Sequence, residues 1–128
     1  MLEKVVRWLR TYPGLEGLQV DRVLPQPGCC GLYPKGIRQE SCRETVLGKR
    51  IRQYRQTYLL RLNGQGREAT AKWLLEFQDW VDRQNTFPPI GEQTRVRAEN
   101  GHLAALSSGG NATYETEIIV TYQVKEEA

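Results

Sequence analysis

Two apolar stripes at helical spacing, two runs of strict alternation and a proline- and glycine-rich stretch between them predict an α+β domain. The expected order is α-β-β-β-α-β-β, forming a mostly antiparallel sheet of four to five strands with two helices packed on one face. At 128 residues the chain fits one domain, spanning 1–128.

Residues 2–11 predict the first helix, because Leu2, Val5, Val6 and Leu9 recur at three- and four-residue intervals with Trp8 beside them. Tyr12-Pro13-Gly14 should stop it, since proline disfavours helical geometry in the residue before it and glycine tolerates a left-handed turn. Residues 18–24 (LQVDRVL) read as a first strand. The stretch 25–36, with three prolines, three glycines and two cysteines, reads as an ordered loop.

Residues 37–47 and 51–62 predict two long strands in a hairpin, with Gly48 supplying the positive φ of a tight turn. Tyr54, Tyr58, Leu60 and Leu62 should share one face and Gln53, Arg55, Thr57, Leu59 and Arg61 the other. Helix 67–84 carries Thr70, Trp73, Leu74, Phe77, Trp80, Val81 and Gln84 on one stripe. Its three large aromatics each bury about 150–250 Å² when packed, which assigns the stripe to the core. A short strand at 94–98, a loop at 107–111, a strand at 113–124 and a solvated tail at 125–128 complete the chain.

An apolar fraction of 39% and a charged fraction of 26% describe an ordinary globular protein. No apolar run reaches the roughly 18–20 residues that cross a bilayer, and the charged N-terminus has no signal-peptide core. The expectation is a cytoplasmic protein with no membrane partner. Cys29 and Cys30 are adjacent and Cys42 stands apart, an odd count read as reduced, structural thiols. Zinc ligation would want Cys-x-x-Cys or paired histidines, and the only histidine is His102.

No constellation predicts catalysis, a cofactor or a small-molecule substrate. His102, within Asn100-Gly101-His102-Leu103, reads as a solvated loop residue rather than a base for a nucleophile. Asn63-Gly64-Gln65-Gly66 lacks the Gly-Lys-Ser/Thr of a phosphate loop and reads as a β-to-α turn. Glu115 and Glu117, two apart on one strand face, read as a solvated or inter-subunit surface.

Net charge is only +3, but residues 35–67 hold nine basic side chains against Glu40 and Glu44. That segment carries +7 and the remainder −4, a split suited to head-to-tail association. The candidate interface or lumen residues are Arg50, Arg52, Arg55, Arg61, Glu115 and Glu117. Arginines interleaved with Tyr54 and Tyr58 keep a nucleic-acid-binding module as the alternative. Against it, the tyrosines alternate out of phase with Arg55 and Arg61, so most arginines are expected opposite them.

Three features then carry a resemblance that spans nearly the whole chain. They are the N-terminal amphipathic helix and strand, the Gly31-Leu32-Tyr33-Pro34-Lys35-Gly36 segment leading into a hairpin that ends Tyr58-Leu59-Leu60-Arg61-Leu62, and a Trp-rich helix before a closing strand with Ile118-Ile119-Val120-Thr121-Tyr122. In this order and spacing the chain resembles a family of bacteriophage and prophage minor capsid proteins that look like the tail terminators of long-tailed phages. The likeness implies a ring of six copies at the head–tail junction of the virion, made in the bacterial cytoplasm. Its partners would be the tail-tube protein and the head–tail connector, with DNA passing through the lumen past the basic segment. The pair Cys29-Cys30 has no assigned place in that pattern.

Overall fold

The structure is a computed structural model that describes residues 2–24, 28–64, 66–106 and 112–127. Helix α1 (Leu2–Leu9) buries Val5, Val6 and Leu9, with Glu3 in its first turn and Arg7 in its last, each favourable toward the helix dipole. It stops two residues before the expected end at 11. There the amides of Thr11 and Tyr12 reach back three residues, to the carbonyls of Trp8 and Leu9, and the turn tightens. Two further turns bring Leu15 and Leu18 into the core, both essentially inaccessible to solvent.

The expected first strand at 18–24 shrinks to β1 (Gln19–Val20). Asp21 takes a φ of 60° and its amide makes a last bond to Leu32 O, turning the chain out of the sheet. β1 pairs in parallel with Gly31 and Leu32. The segment after it crosses close to Gly31. A Cβ at Gly31 would clash with Arg22 O and lie 2.7 Å from Val23 Cγ2, so only glycine fits there.

The expected loop at 25–36 is corrected in its second half. Strand β2 (Cys30–Glu44) begins inside it and pairs with β3 (Lys49–Asn63) from Cys30↔Leu62 onward; residues 25–27 lie outside the described residues. Proline and glycine are tolerated because β2 is an edge strand. Leu32 O faces β1, so the amide position of Pro34, two residues on, faces the same side, where a missing N–H breaks no rung to β3. Register irregularities between Pro34 and Gly36 and between Gln39 and Ser41 absorb the remaining mismatch. The predicted hairpin forms, with Gly48 at φ 81° and Thr45 bonded to Lys49 O across the turn.

Helix α2 (Arg67–Arg83) buries Thr70, Leu74, Phe77 and Val81, as its stripe predicts. Trp73 and Trp80 are half-buried at the rim. Tyr12 packs against Trp73, Phe77 and Trp80 at ring-centroid distances of 5.8, 5.2 and 5.1 Å, and Trp8 meets Trp80 at 5.0 Å. These aromatics lock the two helices together, and Trp8 Nε1 donates to Thr86 O beyond the end of α2.

The short strand expected at 94–98 is fifteen residues long, β4 (Glu92–Leu106), and takes in His102, which was expected in a loop. Positive φ at Gln93 and Asn100 and three register irregularities break its alternation, which hid its length in the sequence. Strand β5 (Ala112–Glu127) carries the sheet through Lys125 and Glu126, which were expected in a tail. The loop expected at 107–111 lies outside the described residues.

The sheet order is β1-β2-β3-β5-β4, antiparallel except for the β1–β2 pair. Leu32, Tyr58, Leu60, Leu62, Ile118 and Val120 form one cluster with Val5, Leu9, Phe77 and Val81, so both helices cover the same sheet face. Among the described residues, no helix is long and apolar enough to cross a membrane.

Phe77 is fully buried, so Phe77→Ala should cost about 3–5 kcal/mol in denaturant unfolding. Half-exposed Trp73→Ala should cost less, and equal losses would refute this placement of α2. Alkaline pH gives a second test. Burial pushes the Cys30 thiol from 9.0 to about 12, with the neighbouring Cys29 adding to it. Burial likewise pushes the Tyr58 phenol from 10.0 to about 12, with Tyr122 adding to it. Both groups are held neutral, so their contribution is intact below pH 9 and is lost as pH rises toward 12. Melting temperatures followed over that range should fall, and Tyr58→Phe should flatten the part above pH 10.

Candidate assembly surface

The sheet face away from the helices is built by pairs of residues lying directly opposite one another. Across β2, β3, β5 and β4 the rows are Gly31–Arg61–Glu115–His102, then Tyr33–Leu59–Glu117–Glu99, then Gly36–Thr57–Ile119–Arg97. Strict alternation in β3 and β5 thus puts Arg55 and Arg61 with Glu115 and Glu117 on one surface. Arg50 and Arg52 have the parity of the tyrosines and lie on the other face, beyond the core. The expectation that most arginines oppose the tyrosines therefore holds for two of these four.

Arg61 and Glu115 form the strongest polar contact of this face. Arg61 donates from Nε at 2.9 Å and from Nη2 at 2.7 Å to Glu115 Oε2. Its guanidinium also lies over the Tyr33 ring, 4.5 Å from the centroid. The Glu115 hydrogen bond, first among the causes, pushes the Arg61 pKa further up. Glu115 is only 9% exposed, so of the two readings given for it, a solvated or an inter-subunit surface, the solvated one does not hold. His102 Nε2 lies 3.6 Å from Glu115 Oε1, while Nδ1 lies 2.7 Å from Asn100 O. A carbonyl only accepts, so the neutral ring keeps its proton on Nδ1.

The other candidate cations are paired within the chain as well. Arg55 Nε is 2.6 Å from Glu40, Arg52 Nε is 2.8 Å from Glu126, and Arg50 Nη2 is 3.5 Å from Glu44. Two of these pairs, Arg61–Glu115 and Arg52–Glu126, cross from the 35–67 segment to β5, while Arg55–Glu40 and Arg50–Glu44 lie within the segment, so only part of its charge contrast with the remainder is met across the β3–β5 ladder. Arg55 and Glu117 come together around a cleft of about 400 Å³, with Lys35, Arg38 and Glu99 on its rim and buried Ile119 at its floor. Glu117 directly opposes Glu99, a like-charge pair that destabilises unless a cation lies near.

His102 and the thiols are spread apart. Cys42 pairs with Arg52, nine residues along β3 from the Arg61 row, about 30 Å away at strand rise. Cys30 lies on the opposite face, in the core. Among the described residues, no three His, Cys, Asp or Glu side chains gather where they could hold a metal ion.

The sequence reading missed two features. One is the openness of the sheet edges: among the described residues β1 covers β2 only at Gly31 and Leu32, and β4 pairs with β5 alone. The other is the hairpin tip, where Val46 and Leu47 are 103% and 82% exposed. The signal for the tip was present, since two aliphatic residues stand in a turn where polar residues are usual. A scan against protein-family models returns no match, and neither does a comparison with curated proteins.

Breaking the Arg61–Glu115 pair should be felt more than breaking an exposed one. Glu115→Gln should cost about 1–2 kcal/mol, because it weakens a charge-assisted double contact at a nearly buried carboxylate. Arg50→Gln, at an exposed 3.5 Å pair, should cost close to nothing. Urea midpoints measure both, and equal small losses would remove Arg61–Glu115 as an anchor of this face.

Proposed function

We propose that this chain is a structural subunit of a phage or prophage virion. It assembles as a ring, with six copies as the expected number, at the head-proximal end of a tail tube. There it ends tail polymerisation and joins the tail to the head connector. The observation that supports this reading is the state of the sheet. Three fifteen-residue strands and one of sixteen leave one face and most of both edges uncovered by the chain's own described residues. Unpaired edges of this length are hazards for a solitary domain and assets for an assembling one. The same segments carry the resemblance to tail terminators.

In this reading the chain positions other proteins and breaks no bonds. DNA in the lumen would meet residual positive charge such as Lys35 and Arg97. The alternative, a nucleic-acid-binding module, is weakened by the glutamates beside Arg50, Arg52, Arg55 and Arg61, which compete with phosphate for them.

Native mass spectrometry and light scattering over a concentration series, alone and with tail tubes, test the proposal. A ring-sized species, or capping of tube ends seen by electron microscopy, is expected. A chain that stays monomeric and leaves tubes uncapped would exclude the reading. DNA affinity that survives physiological salt without any assembly would favour the alternative.

A further inference from the structure

We propose that the free edge of β4 pairs antiparallel with the free edge of β2 in a second copy of this chain, with Arg38 set directly opposite Glu99. The inference rests on the assembly reading above and names the two edges that would perform it. Among the described residues β1 covers β2 only at Gly31 and Leu32, and β4 has no strand neighbour besides β5. The unpaired amides and carbonyls of such edges are completed by another strand. β2 and β4 stand at opposite ends of the four long strands, so neither can serve the other within a chain.

Strand direction admits a second copy. Three antiparallel pairings separate β2 from β4, so the two run in opposite senses. A rotated copy therefore brings its β2 antiparallel to β4, and the alternation of the sheet continues. The phase of the backbone follows from the ladder. Leu32 O accepts from Asp21 beyond β1, so Leu60 opposite it bonds toward β5, and Arg55, Thr57 and Leu59 bond toward β2. By the same alternation Ile37 and Gln39 on β2, and Val96 and Ala98 on β4, turn their amides outward, whereas Arg38, Arg97 and Glu99 bond inward.

Charge selects the partner and the register. Glu99 is exposed and directly opposes Glu117, and neither carboxylate takes part in an ion pair among the described residues. The Arg38 side chain is 68% exposed and shares Glu40 with Arg55, which holds that carboxylate at 2.6 Å against 3.5 Å for Arg38. With Arg38 opposite Glu99, Glu40 comes beside Arg97, and Gln39 and Ala98 exchange backbone bonds. A shift of two residues one way sets Arg38 against Arg97, and the other way sets Glu40 against Glu99.

The same register yields a sheet that can close on itself. The row of Arg38 runs through Arg55 and Thr121 to Arg95, four residues before Glu99, so each copy steps the sheet by four residues over four strands. At about 3.3 Å rise and about 4.8 Å strand spacing this is a slant of about 35°, the strand tilt of closed barrels. β4 also leaves the line before it would meet β1. Asn100 takes a φ of 59° and the register breaks between Glu99 and His102, so the pairing runs from Glu99 toward Thr94.

Arg38→Glu and Glu99→Arg each set like charges opposite one another between copies, at exposed positions where melting should not fall. Sedimentation and native mass spectrometry, alone and with tail tubes, should show subunit affinity weakened by at least about tenfold in either variant. The double variant should assemble like the wild type. Ala98→Pro removes an outward amide and no rung to β5, so it should abolish assembly while the fold survives. In the wild type the amides of Ile37, Gln39 and Ala98 should exchange readily in the monomer and become protected on assembly. A wild-type ring that leaves these amides unprotected, or that forms equally well from the single variants, would overturn this contact and leave the ring reading intact. Failed single variants with no rescue in the double variant would give the edges to another protein and overturn it as well. A wild-type chain that neither assembles nor caps tubes would remove both proposals.

Discussion

The pairing of β3 with β5 is the constraint on which the rest of the molecule depends. It runs without interruption from Lys49↔Glu127 to Asn63↔Thr113 and joins two hairpins that among the described residues share no other strand pairing. Its register decides which side chains face the helices. A slip of one residue would turn Tyr58, Leu60, Ile118 and Val120 away from Phe77 and Val5, exposing the core. Arg61–Glu115 on one face and Arg52–Glu126 on the other hold the same register through charge.

That register also changes what the charge distribution means. A basic hairpin and an acidic remainder suggest two surfaces waiting for partners, yet β5 lies directly beside β3 and meets part of that charge internally, at Arg52–Glu126 and Arg61–Glu115. What remains for intermolecular use is the part of the chain the sheet core does not reach: the outer hairpin, the cleft over Ile119, the sheet edges and the outer side of α2. These regions are held by a rigid scaffold and carry little packing of their own, which suits surfaces completed by association.

Helix α2 and strands β3 and β5 were legible because a single period governs each from end to end. Phe77 and Val81, or Ile118 and Val120, repeat at the spacing of the element that buries them. β4 was not, because Gln93, Asn100 and the irregularities near them shift the facing of its side chains and erase the alternation. β2 was obscured differently. Pro34 and the glycines of its first half look like loop residues, and become strand residues only because the chain lies at an edge beside β1. For the candidate surface, residue types were readable but partners were not. His102 stands thirteen positions before Glu115, and nothing local indicates that a hairpin brings them to 3.6 Å.

By itself the sequence determined the class of the fold, the two helices, the Gly48 turn and the inward face of the central strands. Each of these follows from local periodicity or from the conformational range of one residue type. Only the tertiary structure decided how far β2 and β4 extend, that the arginines of β3 answer glutamates within the same chain, and that Val46, Leu47 and Leu75 remain uncovered. Those outcomes depend on which strand lies next to which, and adjacency is set by the sum of all packing rather than by any stretch of residues.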